Sequence, residues 1–558
     1  MRPVRLLRPY NNLLPCAYPR SVTQWTVLGR RTCSCSPPLG LSATNALSRE
    51  HKQAGQGHND GPEPDHRTIG RKQFLFDTHV SSPGAPFFQP RGTHIFQKLT
   101  SFLRAQYPDF GFREVLTPTI YKESLWQQSG HWANYKDDMF TVTGNPSKKS
   151  MAVPLKSVDG RMQPKENFSD DHELEQYGLK PMNCPGHCIL FQSKRRSYRD
   201  LPIRYAEFSP LHRNEVSGAL SGLTRVRRFH QDDGHIFCRP SQVEAEILEA
   251  IKFIKMIYKA MRLKDYRFVL STRPETDYIG TVAEWNRAED QLKQALNSET
   301  EGLWKENKGD GAFYGPKIDV TVRDSDGKKH QTATIQLDFQ LPKRFNLEYD
   351  APAPELEARG EVTQDPKLRN RIGKVTPVMI HRAVLGSLER FMALMLEVKD
   401  GKLPFWLSPR QVIVLTVTSR DSVTTHAKTT RQILSNVGNS RAPDEEPKPR
   451  ELNHPRYIID LDASGDSIAQ KIARAKQNMY NVICVIGENN VKDKTVDVIF
   501  HGQPNLEETW TVVDKLIPGS QAPVQKDKAS GIVRGTSGIK LTMNQCRRVI
   551  QKLCEEYL

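Results

Sequence analysis

Three separate stretches of the sequence carry thiols and imidazoles, the side chains that bind transition metals. Cys184, His187 and Cys188 fall close together, His235 follows two aspartates, and His381 lies within an apolar run. Zinc binds thiolate and imidazole, and a zinc site that acts on a ligand keeps three protein groups and one open position. Spacing leaves two interpretations open. Cys184 and Cys188 with one histidine form a local structural site, or the three stretches meet at one metal.

A second group of residues is suited to binding a phosphorylated ligand. The sequence contains neither the GxxxxGK[ST] loop nor the GxGxxG turn, so both common backbone cradles for phosphate are absent. Arg213 and Glu215 follow a predicted strand, Arg225 and Phe229 lead into the next strand, and Arg390 opens a predicted helix. Guanidinium groups bind phosphate through two hydrogen bonds, and a phenyl ring offers a stacking face. One such arginine is typical of a hairpin surface, but their combination favours a nucleotide site.

Three motifs, in this order, resemble those of the class II aminoacyl-tRNA synthetases. Residues 111–118 resemble motif 1, the segment from Arg213 to Phe229 resembles motif 2, and residues 386–390 resemble motif 3. Four further strings resemble the threonyl-tRNA synthetase family: SGHW at 129–132, KPMNCPGH at 180–187, QDDGHIF at 231–237 and FYGPK at 313–317. The resemblance extends from about residue 67 to residue 407, and more loosely through residues 408–515.

The resemblance implies how the amino acid is recognised. Cys184, His235 and His381 would be the ligands of a Zn²⁺ ion that selects the amino acid and does not activate water. Asp233 would pair with the ammonium group of threonine. The further threonine-binding residues that it implies are Gln231, Tyr314 and Gln336.

The resemblance also implies how ATP is held together with Mg²⁺. Arg213 would contact the α-phosphate, and Arg225 and Arg390 would grip the γ-phosphate. Glu215 would bind the adenine amino group or help to place magnesium, and Phe229 would stack on adenine.

The reaction implied by the family is the activation of threonine to threonyl-adenylate, followed by its transfer to the 3′ end of tRNA(Thr). Two further catalytic residues are implied. Lys317 would face the reacting carboxylate and phosphate, and His131 would act near the terminal ribose of the tRNA.

The net charge of +16 is unevenly distributed along the 558 residues. Residues 1–49 contain seven arginines, no lysine and no acidic residue, together with frequent serine and threonine. This composition predicts a mitochondrial transit peptide and a matrix location, whereas a basic arm that binds RNA is the alternative. Residues 50–66 are predicted to be a disordered linker. Because so few residues precede the core, we expect no editing domain for serine.

The elements that must position these residues indicate an α+β fold. The resemblance implies a class II catalytic domain over 67–407, an antiparallel sheet flanked by helices, with an exposed insertion at 145–178. Strands are predicted at 202–208, 229–237, 313–323 and 330–339, and a capping box at Ser241 predicts the start of a long helix. A small α/β anticodon-binding domain is predicted over 408–558, with an extended loop at 438–455 and a tail.

The expected partners are tRNA(Thr), threonine, ATP and a second copy of the chain, since motif 1 builds the dimer interface in class II enzymes. No stretch of 18 apolar residues occurs, which predicts no membrane partner. Three alternatives remain: a related enzyme for proline or serine, an RNA-binding paralogue without activity, and a zinc hydrolase. The hydrolase lacks a convincing general base.

Overall fold

The computed structural model describes residues 64–143, 176–276, 278–324, 327–435, 455–518, 525–526, 533–534 and 538–558. The predicted leader lies outside these ranges, as do residues 50–63 of the linker, residues 145–175 of the insertion, residues 438–454 of the predicted loop and most of residues 519–537. Within the described ranges, no helix is both long and apolar enough to cross a membrane.

A nine-stranded sheet forms the centre of the catalytic region. Its interior is antiparallel, and the strand at each edge pairs in parallel with its neighbour. The order across the sheet is Trp304–Asn307, Tyr266–Ser271, Lys317–Arg323, Lys329–Asp338, Val378–Ser387, Arg228–Cys238, Ile203–Glu207 and Arg113–Glu114, and Pro210–His212 also pairs with Arg228–Cys238. The predicted antiparallel strands are confirmed, except that residues 313–316 form a turn before the strand that begins at Lys317.

Helices cover one face of this sheet, whereas the short helices Cys184–Gln192 and Leu341–Arg344 pack against only part of the other face, around Phe237 and Met379, and leave the rest of that face open. The covered face contributes alternate apolar residues, such as Phe268 and Leu270 or Ile318 and Val320, to one large core. The main helices that contribute to this core are Pro90–Gln106, Val243–Ala260, Val282–Thr300 and Leu388–Val398. The predicted cap at Ser241 is wrong. A short 3₁₀ turn, Pro240–Gln242, precedes the long helix, and the Gln242 side chain accepts the Arg239 N–H at 3.0 Å.

Shorter elements complete the catalytic region and correct two predicted boundaries. The linker does not extend to residue 66, because Asp65 accepts the Arg67 N–H at 2.7 Å and caps a helix that begins at His66. The insertion does not extend to residue 178, because Gln176–Leu179 is the middle strand of a three-stranded sheet. The short helices are His66–Gln73, Glu123–Ser129, His131–Tyr135, Cys184–Gln192, Leu341–Arg344, Pro354–Glu357 and Pro366–Arg369. The short strands are Phe76–Asp77, Phe87–Phe88, Ile120–Lys122, Thr141–Thr143, Tyr349–Pro352 and Ile372–Val375.

The C-terminal region contains a separate five-stranded mixed sheet. Its strands are ordered Ile459–Asp462, Val412–Thr416, Val482–Ile486, Thr495–Phe500 and Ile539–Thr542. The first three strands are parallel to one another, and the two pairings that follow in this order are antiparallel. Its helices are Asp421–Leu434, Ile468–Gln477, Glu488–Asp493, Leu506–Leu516 and Met543–Glu555. Ser467 and Thr542 cap two of these helices, because each side chain accepts the backbone N–H three residues later. This region is a small α/β domain.

A buried ion pair lies beneath the central strands of the catalytic sheet. The Asp232 carboxylate lies 3.0 Å from the Arg382 guanidinium and accepts the N–H groups of Val384 and Leu385 at 2.8 and 2.9 Å. The guanidinium lies 4.2 Å from the centre of the Phe112 ring. At Gly234 a Cβ atom would lie 2.6 Å from this guanidinium, so any other residue there would have to displace the Arg382 side chain. The pair therefore joins two neighbouring strands on the face that the helices cover.

Replacing Asp232 with alanine leaves the Arg382 guanidinium buried without its carboxylate, a change that costs about 3–5 kcal/mol in comparable pairs. We expect D232A to unfold at a clearly lower urea concentration than the wild-type chain, as measured by circular dichroism. D290A removes an exposed carboxylate from the helix Val282–Thr300 and should unfold with the wild type. Equal midpoints for D232A and the wild type would contradict this role of the pair.

Candidate active site

The register of the sheet places four predicted site residues in one row on the open face. His235 lies directly opposite His381, His381 opposite Gln336, and Gln336 opposite Lys317. Directly opposed residues of antiparallel strands project from the same face with their Cβ atoms about 5 Å apart. Four strands from different parts of the segment 228–387 therefore bring these side chains together.

The strand Arg228–Cys238 contributes a second row, which runs along the chain. Phe229, Gln231, Asp233 and His235 alternate with residues of the covered face, so all four face the open side. A cavity of about 490 Å³ lies over the two rows. Its lining includes the predicted residues Cys184, Arg213, Glu215, Arg225, Phe229, Gln231, Asp233, His235, Tyr314, Lys317, Gln336, His381 and Arg390.

One end of the cavity contains a cluster of metal-binding groups. The thiol of Cys184 and one ring nitrogen each of His235 and His381 all lie within 4.8 Å of one another. Cys188 is not part of this group, because its thiol faces the sulfur of Met379 at 3.9 Å. One thiol and two imidazoles, open to a cavity, form a donor set that suits zinc with one position left for a ligand.

Hydrogen bonds behind the two histidines hold their rings. The His381 Nε2 lies 2.8 Å from the Asp338 carboxylate, and the His235 Nδ1 lies 2.8 Å from the His187 Nδ1. The His187 Nε2 in turn lies 3.0 Å from the Glu207 carboxylate. A carboxylate only accepts, so His381 and His187 each donate from Nε2, and the His187 Nδ1 accepts from His235. This leaves the Nδ1 of His381 and the Nε2 of His235 without protons, only 3.0 Å apart. Outer partners of this kind orient histidines that bind metals.

Glu207 ends this chain of hydrogen bonds as a buried carboxylate. Burial opposes its charge, but hydrogen bonds from His187, Lys180, Ser209 and Thr117 lower its pKa to about 2. The Lys180 ammonium lies 2.8 Å away and is also fully buried. Glu207 is therefore an ionised acceptor at neutral pH, as the histidine arrangement requires.

Polar groups beside the metal cluster are suited to an amino acid with a hydroxyl group. Asp233 accepts from the Asn183 amide at 3.0 Å, and burial raises the pKa of its carboxyl. The Tyr314 hydroxyl donates to the Gln336 Oε1 at 3.2 Å. The Gln336 Nε2 is buried and has no hydrogen-bond partner among the described residues. It is therefore available to a ligand.

Arginines line the other end of the cavity. The Arg213 guanidinium lies 5.0 Å from the centre of the Phe229 ring, and Arg225 forms a 2.7 Å ion pair with Glu215. The Arg390 Nε donates to the carbonyl of Thr224 at 3.0 Å. Burial lowers the pKa of Arg390, and the nearby Arg213 and Arg225 lower it further. Such crowding of guanidinium groups indicates an anionic ligand.

Comparison with known proteins agrees with this geometry. The family model described as "tRNA synthetase class II core domain (G, H, P, S and T)" matches residues 167–358, and "Anticodon binding domain" matches residues 411–508. A probable mitochondrial threonine–tRNA ligase of Schizosaccharomyces pombe is 45% identical over 445 residues, which cover 80% of this chain and 86% of that protein. The chain belongs to the threonine–tRNA ligase family.

Two further relatives support this assignment. The mitochondrial threonine–tRNA ligase of Saccharomyces cerevisiae is 43% identical over 76% of this chain and 84% of its own length. A solved structure described as the RNA binding domain of threonyl-tRNA synthetase from Cryptosporidium parvum Iowa II has a TM-score of 0.66 and 38% identity. It covers 88% of this chain and 98% of that chain. The class II fold with an anticodon-binding domain, expected from the sequence, is confirmed.

Two further predicted site residues of this threonine–tRNA ligase family member lie in different surroundings. His131 does not line the cavity. It is buried, its Nδ1 lies 2.8 Å from the Ser129 hydroxyl, and burial lowers its pKa to about 4. Phe229 lines the cavity with the Arg213 guanidinium over its ring, and its stacking on adenine stays a prediction.

The sequence-based predictions did not include the residues that hold the histidine rings. Asp338 could have been found, because it lies two positions after Gln336 on the strand Lys329–Asp338 and so shares its face. Glu207 and Lys180 are 27 positions apart, and no periodicity relates them. Lys180 and Asn183 lie within the string KPMNCPGH at 180–187, which resembles the threonyl-tRNA synthetase family.

Asp338→Asn tests whether these outer partners matter for the metal. The amide is almost the same size as the carboxylate, but its NH₂ group cannot accept the His381 proton if it faces the ring. We expect the affinity for zinc, measured by competition with a chromogenic chelator, to fall about 10- to 100-fold. E244Q changes an exposed carboxylate on the helix Val243–Ala260 and should bind zinc like the wild type. Unchanged affinity in D338N would contradict the arrangement.

Proposed function

We propose that this chain is a mitochondrial threonine–tRNA ligase, which activates threonine with ATP and transfers it to the 3′ end of tRNA(Thr). The observation that carries the proposal is the cavity itself. Its Cys184, His235 and His381 cluster lies beside an amino-acid pocket, and arginines line its other end. The family and its mitochondrial relatives support the same assignment.

The metal end of the cavity would bind threonine. Cys184, His235 and His381 would hold Zn²⁺, which when bound supplies a Lewis acid for the amino and hydroxyl groups of the substrate. Asp233 would pair with the ammonium group. The free Gln336 Nε2 would donate to an oxygen of the substrate, with Gln231 and Tyr314 close by.

The arginine end would carry the activation step with Mg²⁺–ATP. A carboxylate oxygen of threonine attacks the α-phosphorus, a new oxygen–phosphorus bond forms, and pyrophosphate leaves. Arg213 would stabilise the charge that develops on the α-phosphate, and Arg225 and Arg390 would hold the γ-phosphate. Glu215, now paired with Arg225, would turn to the adenine or to magnesium as the phosphate replaces it.

In the second step the threonyl group is transferred from the adenylate to the tRNA. The terminal hydroxyl of the tRNA attacks the carbonyl carbon of the adenylate, and AMP leaves. Lys317 lies in the row with His381, and its ammonium is 2.9 Å from the Asp319 carboxylate. We infer that Lys317 contacts the phosphate in both steps. The buried position of His131 gives no support for its direct contact with the ribose.

Pyrophosphate exchange with single amino acids tests the proposed function. Threonine should support exchange, whereas serine, which lacks one methyl group, should have a kcat/KM lower by about 10- to 200-fold. Valine, which lacks the hydroxyl, should be weaker still, because it leaves polar groups of the pocket unpaired. R213A should lose exchange, and R287A, at an exposed arginine outside the cavity, should keep it. Strong exchange with proline and none with threonine would refute the proposal.

We infer a homodimer that forms at the motif 1 edge of the sheet. The strand Arg113–Glu114 is the last strand in the order, and its outer edge pairs with no other strand among the described residues. The neighbouring Leu116 is 83% exposed. An unpaired edge beside an exposed apolar side chain favours association with a second chain.

Leu116→Asp tests this interface, because it places a charge where an apolar contact is expected. Light scattering coupled to gel filtration should show a shift from dimer toward monomer at micromolar concentration. V362D, at an exposed valine distant in sequence from motif 1, should remain dimeric. A dimeric L116D, or a monomeric wild-type chain, would contradict this assembly.

A further inference from the structure

His66 is a buried side chain that connects three parts of the catalytic region without lining the active-site cavity. Its Nδ1 lies 2.6 Å from the Glu397 carboxylate, on the motif 3 helix Leu388–Val398. On the other side of the ring, the backbone N–H of Leu223 donates to its Nε2 at 3.0 Å. The helix His66–Gln73 therefore contacts both motif 2 and motif 3 through one imidazole.

The partners of His66 determine the position of its proton. A backbone N–H can only donate, so Nε2 is the acceptor, and the proton on Nδ1 is donated to Glu397. Both ring nitrogens are then satisfied in the neutral ring. Asp65 lies near enough to form a three-residue cluster with His66 and Glu397, but its carboxylate pairs with Arg67 at 2.7 Å. We therefore interpret the cluster as a hydrogen-bonded link and not as a second metal site.

The loop that His66 contacts is the turn 221–225, which presents Arg225 to the cavity. The backbone groups of Ser221 and Arg225 exchange hydrogen bonds of 3.1 and 3.2 Å, and Leu223 lies between them with its side chain in the core. Arg390 holds the same turn through the carbonyl of Thr224. The position of Arg225 thus depends on the contacts that fix this turn.

The motif 3 helix holds the turn at two points. Arg390 and Glu397 are seven residues apart, close to two full helical turns, and so lie on the same side of the helix. Arg390 contacts the turn directly, and Glu397 contacts it through His66. Gly222 permits the close approach, because its φ is +48° and a Cβ there would lie 2.1 Å from the His66 Nε2.

We propose that His66 is a positioning residue that holds the turn 221–225, and with it Arg225, ready for the γ-phosphate of ATP. The inference rests on the proposed function, since that function makes ATP the ligand of Arg225. Without the link, the turn gains freedom and Arg225 spends less time in place. The threonine pocket is built on other strands and should be little affected.

The Michaelis constants for ATP and threonine in the exchange reaction test this role. His66→Phe keeps a buried ring but removes both hydrogen bonds, so we expect the KM for ATP to rise about tenfold, as for one lost hydrogen bond to a charged group. The KM for threonine should stay within about twofold, because a lost turn contact removes no group from that pocket. His66→Gln retains a donor and an acceptor and should restore part of the ATP affinity. H79F, at an exposed histidine, is the matched control.

Gly222→Ala tests the same contact from the other side and should also raise the KM for ATP selectively. If H66F does not fold, the KM values of H66Q and G222A for ATP and threonine test the role of His66 instead. A wild-type chain without threonine-dependent exchange would refute the proposed function. If the wild type is active, an unchanged KM for ATP in H66F, or equal rises for ATP and threonine, would overturn the role of His66 alone.

Discussion

The register between the strands Arg228–Cys238 and Val378–Ser387 is the constraint on which the whole site depends. It sets His235 opposite His381, and alternation along the first strand then fixes Asp233 on the same face. If the strand Arg228–Cys238 slipped by one residue, Asp233 and His235 would turn to the covered face, and Asp232 and Gly234 would face the open side instead. The buried pair of Asp232 and Arg382, with the N–H groups that Asp232 accepts from the second strand, opposes such a slip. Interactions beneath the sheet therefore maintain the geometry above it.

The two ends of the cavity are organised in different ways. At the metal end, Asp338 and His187 accept hydrogen bonds from the His381 and His235 rings, and Glu207 in turn accepts one from His187. At the arginine end, Arg225 is held by Glu215 in a partly exposed ion pair that a phosphate can replace. A rigid amino-acid pocket suits discrimination between similar side chains, and exchangeable ion pairs suit a substrate that must enter and leave as pyrophosphate.

Much of this arrangement could be predicted from the sequence, because motifs and alternation report on local structure. The strand containing Gln231, Asp233 and His235 is an example. The prediction of a helix cap at Ser241 was wrong because a 3₁₀ turn with Pro240 precedes the long helix. The burial of His131 and the pairing of Lys180 with Glu207 depend on packing between distant segments, which no local pattern encodes. Spacing alone also left open whether Cys188 or the distant histidines join Cys184, and the structure groups Cys184 with His235 and His381.

The register brings His235 and His381 together, and the helix that begins at Cys184 adds its thiol to a cluster that we expect to bind one metal ion and select threonine. Anomalous diffraction from crystals of the full chain, recorded on both sides of the zinc absorption edge, tests it most directly. We expect a peak that appears above the edge and lies among the Cys184 thiol, the His235 Nε2 and the His381 Nδ1. No peak there in protein that contains zinc, or a zinc peak bound by Cys188 instead, would contradict it.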